Sequence, residues 1–147
     1  MATQTVVNDF AEQLAKGVHN FGTDTIKLFL TNTAPAATDV GIADITQIAY
    51  TNVAEGANPT IAIAVSNETD TILSADEQAI TASGGAVATF RYYGLYNDTA
   101  TSPADALICF WDHGSAVDLA DGEKFTIKFN GVSTAGQILK IGVGSIA

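Results

Sequence analysis

Asp112, His113 and Ser115 bring a carboxylate, an imidazole and a hydroxyl into one short run, the side-chain types of a serine-hydrolase triad. A triad needs its acid to orient its imidazole. Neighbouring residues on an extended strand point to opposite faces, so Asp112 is badly placed to hold His113. The G-x-S-x-G elbow that would present a nucleophile is missing. The three read instead as polar residues at a strand end. His19 directly follows a helical stretch and reads as a cap or a partner for backbone.

Metal and phosphate chemistry fare no better. Two separated histidines and the single Cys109 fall short of a closed zinc site. Asp118, Asp121 and Glu123 gather three carboxylates near a turn but lack the alternating oxygen ligands of a calcium loop. Ser83-Gly84-Gly85 has no following Lys-Ser/Thr pair, so it reads as a hairpin turn, not a phosphate loop. Arg91 lies among Phe90, Tyr92, Tyr93, Tyr96 and Trp111, a composition that stacks sugars or bases when exposed. Alternation along a strand favours the other outcome: Phe90, Tyr92 and Tyr96 buried, with Arg91 snorkelling or paired to an aspartate. Cys109 is then a small buried hydrophobe.

The elements that position these groups are mostly strands. Residues 87–113 read as two aromatic strands, about 86–96 and 105–112, joined by a polar connection from Asn97 to Asp105. Residues 8–18 predict a helix of about three turns, with Phe10, Leu14 and Val18 on one face, Asn8 or Asp9 as cap, and Gly17 keeping it short. Residues 25–32 alternate Ile26, Leu28 and Leu30 against Lys27, Phe29 and Thr31. Residues 44–49 predict one helical turn or a short strand, and 51–59 an exposed loop with few constraints. Strands follow at 61–65, 69–74 and 78–82, a short apolar edge piece at 116–119, then 123–129 with Phe125, Ile127 and Phe129 inward. After an Asn130-Gly131 turn, the last strand, 136–143, turns Leu139, Ile141 and Val143 inward. Short strands at this spacing predict an all-β antiparallel fold, a sandwich or a barrel, with one short N-terminal helix. The 147 residues read as one domain, an N-terminal segment and helix over 1–22 followed by the sandwich over 23–147.

Composition narrows the function classes. The formal charge is −10, and the six basic residues are scattered, which argues against nucleic acid and against an anionic membrane as partners. One cysteine excludes a disulfide framework. The N-terminus has neither the basic region nor the apolar run of a signal peptide. Low charge density with many small neutral residues suits a surface held against other protein.

Several stretches carry a resemblance in a fixed order. F-x-x-x-L-A-x-G-x-H-N-F (10–21) leads into D-T-I-K-L-x-L-T-N-T-A-P (24–35). A-D-I-T-Q-I-A (43–49), T-A-S-G-G (81–85) and F-R-Y-Y-G-L-Y-N-D-T-A (90–100) follow. The series closes with I-C-F-W-D-H-G-S-A-V-D-L-A-D-G-E-K-F-T-I-K-F (108–129). Together they resemble a family of small structural proteins of tailed bacteriophages that includes capsid decoration, or cement, proteins, and the resemblance implies that the fold is a jelly-roll-like β-sandwich. The likeness spans nearly the whole chain and departs at 50–60, where YTNVAEGANPT replaces the glycine-rich loop expected there.

The resemblance implies a virion protein without catalytic residues, cofactor or metal. Such a protein binds the outer capsid surface, links major capsid protein subunits and associates with itself as a homodimer or homotrimer, after assembly in a host bacterial cytoplasm. The N-terminal segment and helix and the 33–59 loops are the expected contact regions, because both lie outside the predicted strands. Val6, Val7, Phe10, Leu14, Val18, Val53 and Asn58 are the candidate interface residues. The alternatives are a tail- or fibre-associated protein contacting host glycans through Tyr92, Tyr93 or Trp111, and a hydrolase built on Asp112, His113 and Ser115.

Overall fold

Half of the aromatics fall between Phe90 and Trp111, and the fold is built outward from the hairpin that carries them. A computed structural model describes residues 2–67, 69–129 and 136–142. Strands β6 (Val87–Thr101) and β7 (Ala104–Leu119) form a long antiparallel hairpin. β1 (Thr3–Val6) flanks β7, and β2 (Ile26–Thr31) flanks β6, giving a four-stranded sheet in the order β1-β7-β6-β2. A second sheet runs β3 (Ala64–Asn67), β4 (Thr71–Ser74), β9 (Gln137–Ile141), and a third pairs β5 (Gln78–Thr81) with β8 (Lys124–Ile127). The molecule is all-β, an antiparallel sandwich with one short helix, α1 (Phe10–Ala15).

Cross-strand rows explain the layering. Leu28, Leu95 and Cys109 stand opposite one another, as do Leu30, Tyr93 and Trp111. Because side chains alternate with period two, both rows share one face of the sheet. Trp111 packs on Phe129 at 5.4 Å, while Phe125 meets Phe90 edge-on at 5.6 Å. Gln4 Nε2 donates to the Ile138 carbonyl at 2.8 Å, tying β1 to β9. On the other face Phe29 crosses Gly94 so closely that a Cβ there would lie 2.3 Å from the Phe29 ring. This is why β2 is buried on both faces instead of presenting Phe29 to solvent.

Several expectations are corrected. The polar stretch 97–105 is not a loop. The ladder continues to Thr101 opposite Ala104, and a register shift with Asp105 at φ +48° absorbs the extra residue. The 116–119 piece is the end of β7, set off by a further shift of register near Gly114 at φ +94°. Those shifts also change the alternation, so Tyr93, not Tyr92, is buried beside Phe90 and Tyr96. Thr3–Val6 is a regular strand of the main sheet, so the N-terminal segment is part of the sandwich. Residues 61–63 lie outside β3, and 44–49 forms neither a helical turn nor a strand: a 3₁₀ turn at Ile42–Asp44 ends where it begins, and Gln47 makes an isolated bridge to Thr31.

The helix is six residues long because Gly17 stops it. At φ +78° Gly17 lets Val18 N–H reach the Gln13 carbonyl and its own N–H reach Leu14, a closing pair that glycine adopts without strain. Asp9 precedes α1 but makes no side-chain cap bond. Ser83-Gly84-Gly85 does not close a β5–β6 hairpin; β5 pairs with β8, and the turn carries the chain into the main sheet.

The 51–59 loop is heavily constrained. Asn58, at φ +50°, donates its amide to the Leu28 carbonyl at 3.0 Å and to Gln47 Oε1 at 2.6 Å. Leu28 N–H in turn donates to the Pro59 carbonyl at 3.0 Å, and Val53 is buried. The loop thus covers the free edge of β2, which would otherwise present unpaired backbone. Phe129, Ile138 and Leu139 are buried as core, whereas Ile141 is half-buried. The Asn130-Gly131 turn and Val143 lie outside the described residues.

Candidate functional site

The hydrolase-like trio does not assemble. Both Asp112 carboxylate oxygens are held by Arg91, at 2.8 and 2.9 Å, and one also accepts from Gly114 N–H at 2.8 Å. The guanidinium holds the Asp112 carboxyl below its usual range. His113 turns its ring edge-on to Phe125 at 5.0 Å, and Ser115 is exposed. Arg91 also lies over the Tyr92 ring, while Tyr93 and Trp111 are buried and offer no face for stacking a sugar.

The three carboxylates near the 120–122 turn go separate ways. Asp118 accepts from the Thr89 hydroxyl, Asp121 from Gly84 N–H and Glu123 from Ala120 N–H. Among the described residues no group of three His, Cys, Asp or Glu side chains could hold a metal ion. Cys109 is sealed in the core, and burial pushes its thiol up to about 12. Lys16, Lys27, Arg91, Lys128 and Lys140 each lie within ion-pair distance of a carboxylate, so the unpaired acids set the sign of the surface.

The candidate interface residues divide by burial. Val7, Phe10 and Val53 are buried in the chain's own core. Asn58 is half-buried and held by its bonds to Leu28 and Gln47. Leu14 and Val18 are half-buried, and Val6 is 37% exposed. Val40 and Val65, the latter 51% exposed, are the other large apolar side chains at the surface among the described residues.

The most unusual polar group is His19. Its ring stacks with Phe10 at 5.2 Å and Phe21 at 5.9 Å and is 5% exposed. Nδ1 lies 3.2 Å from Asn97 Nδ2, and the same amide nitrogen donates to Asp24 Oδ2 at 2.7 Å and lies 3.3 Å from the Val18 carbonyl. His19 Nε2 is buried without a hydrogen-bond partner. Burial holds the imidazole below its ordinary pKa, against the pull of Asp24 and Asp9.

Beside this corner lies an open groove of about 400 Å³. Leu14, His19 and Phe21 line one wall, and Val65, Leu73 and Ile141 the other. Sequence reasoning placed His19 after the helix but missed Asn97 beside its ring and Asp24 bonded to the same amide. Asn97 looked like the start of a loop, and its contact with His19 spans 78 positions of chain. Only the adjacency of Phe21 to His19 carried a local signal. Compared with family models, with curated proteins and with solved structures, the chain matches none of them.

Proposed function

We propose that this chain is a structural virion protein that decorates the outer surface of a tailed-phage head. It binds major capsid protein, associates with itself as a dimer or trimer, and links neighbouring subunits so that the shell resists internal pressure. The observation that carries the reading is the ordered series of stretches from Phe10 to Phe129 that resembles the decoration family. An all-β sandwich built on one long hairpin suits a mechanical role, because its shape is set by a rigid aromatic centre.

In this role the surface supplies many modest contacts, and repetition over the lattice supplies avidity. Val6, Val40 and Val65 provide large apolar points on the exterior of the described residues. Asn58 and Val53, committed to holding their own loop, contribute by shaping it.

Cryo-electron microscopy of the purified virion tests the proposal. The expected result is density for this chain on the head exterior at a copy number comparable with that of the major capsid protein. Absence from the head, or a handful of copies at the tail, overturns it.

A further inference from the structure

We propose that His19 is an acid-released latch: the neutral ring holds α1 and the 17–25 connection against the main sheet, and protonation frees them and opens the groove beside them. The latch stands independently of the virion reading.

The amide of Asn97 fixes the chemistry of the ring. Its oxygen accepts from Thr99 N–H at 3.0 Å, so its nitrogen is the atom that faces His19. A donor opposite Nδ1 makes Nδ1 an acceptor and leaves the ring proton on Nε2. A second proton would set an N–H against the Asn97 amide N–H, on a ring held between Phe10 and Phe21 whose Nε2 has no hydrogen-bond partner. A buried charge without hydrogen bonds is strongly disfavoured, so the ring must leave this position to ionise.

The surrounding groups do not reverse that conclusion. Asp24 in the connection and Asp9 before α1 favour the imidazolium, but burial outweighs them. Glu12 and Lys16 pair with each other on the exposed side of α1. β6 contributes the uncharged Asn97, and β3, β4 and β9 contribute Val65, Thr71, Leu73 and Ile141, none of which titrates. Release is local for a structural reason. α1 is six residues long and carries no strand pairing, whereas β6 and β7 are paired along their length. When Leu14 and Phe21 move away, more of the wall formed by Val65, Leu73 and Ile141 meets solvent, Leu73 above all, so mild acid enlarges an apolar face that is already partly open.

Hydrogen exchange on the full chain, corrected for intrinsic rates, tests this at about pH 7.5 and about pH 5, a window in which histidine is the side chain that titrates. Protection over residues 10–22 is expected to fall about tenfold or more at the lower pH while β6–β7 amides keep theirs. The His19 ring is expected to titrate below 6.5 by NMR. His19→Phe should abolish the pH response, and His113→Gln should preserve it. Asn97→Asp, which offers Nδ1 an acceptor, should raise the His19 titration point. An unchanged response in His19→Phe overturns the latch, as does equal loss of protection across the hairpin. If His19→Phe does not fold, the ring titration of the unaltered chain decides: a midpoint at or above 6.5 overturns the proposal.

Discussion

Around Trp111 aromatic rings close on one another; around His19 two of them close on an imidazole. In the first region Tyr93 stacks on Trp111 at 5.6 Å and Phe129 packs on the indole, so the rings gain by apolar burial, and none of the described polar atoms buried without a partner lies there. In the second, Phe10 and Phe21 bury a ring nitrogen that has no partner, and part of the apolar gain is offset by a desolvated polar atom. The same residue types therefore give a permanent centre in one place and a conditional attachment in the other. What separates them is a buried polar atom left without a partner, not the aromatic content.

The largest expected effect is at the permanent centre. Trp111→Ala should lower stability by about 3–5 kcal/mol in urea unfolding followed by far-ultraviolet circular dichroism. A loss below about 1 kcal/mol would mean that the hairpin is not the centre of the core. Gly94→Ala should follow at about 1–3 kcal/mol, because its Cβ would lie 2.3 Å from the Phe29 ring and 2.6 Å from the Cys109 carbonyl oxygen. Phe29→Leu in that background should restore only part of the loss, since the carbonyl stays where it is.

Asn58→Ala should lose about 1–2 kcal/mol, and Asn58→Gly less, since glycine keeps the φ of +50° although it also loses the amide bonds. Equal losses would show that the hydrogen bonds, and not the backbone conformation, hold the loop.

The pH dependence sharpens the contrast. The folded pKa of His19 lies below 6.5, so the unfolded chain binds the extra proton first. The stability held by the neutral ring is present above 6.5 and is lost as pH falls from there through the folded value. The slope from this one group is at most about 1.4 kcal/mol per pH unit, and chemical unfolding between about pH 8 and pH 5 reads it. A flat profile would remove the distinction between the two regions. The smallest effect belongs to Asp112→Asn, which disturbs a half-exposed ion pair and should leave the melting temperature nearly unchanged.

Local pattern carried much of this fold. The alternation of Phe125, Ile127 and Phe129 and of Ile26, Leu28 and Leu30 located two strands, and Gly17 marked the end of the helix. Long-range pairing was hidden. Thr3–Val6 looks like a polar tail until β7 offers it a partner more than a hundred residues away, and Asn97–Thr101 looks like a loop although ladder bonds tolerate polar side chains. The covering of β2 by Asn58 and Pro59 likewise depends on backbone groups that no side-chain pattern reveals. The candidate site was the least legible part, because its defining contact joins His19 to Asn97 on β6, 78 positions further along the chain.

The sealed thiol of Cys109 has a practical consequence. It sits on β7 opposite Leu95, with β1 on its other side, and is 1% exposed. A thiol reagent can reach it only when those strands part, so in excess reagent the rate of modification counts the openings of the hairpin. The chain thereby carries a built-in clock for its most stable part, one that keeps time separately from any movement at His19.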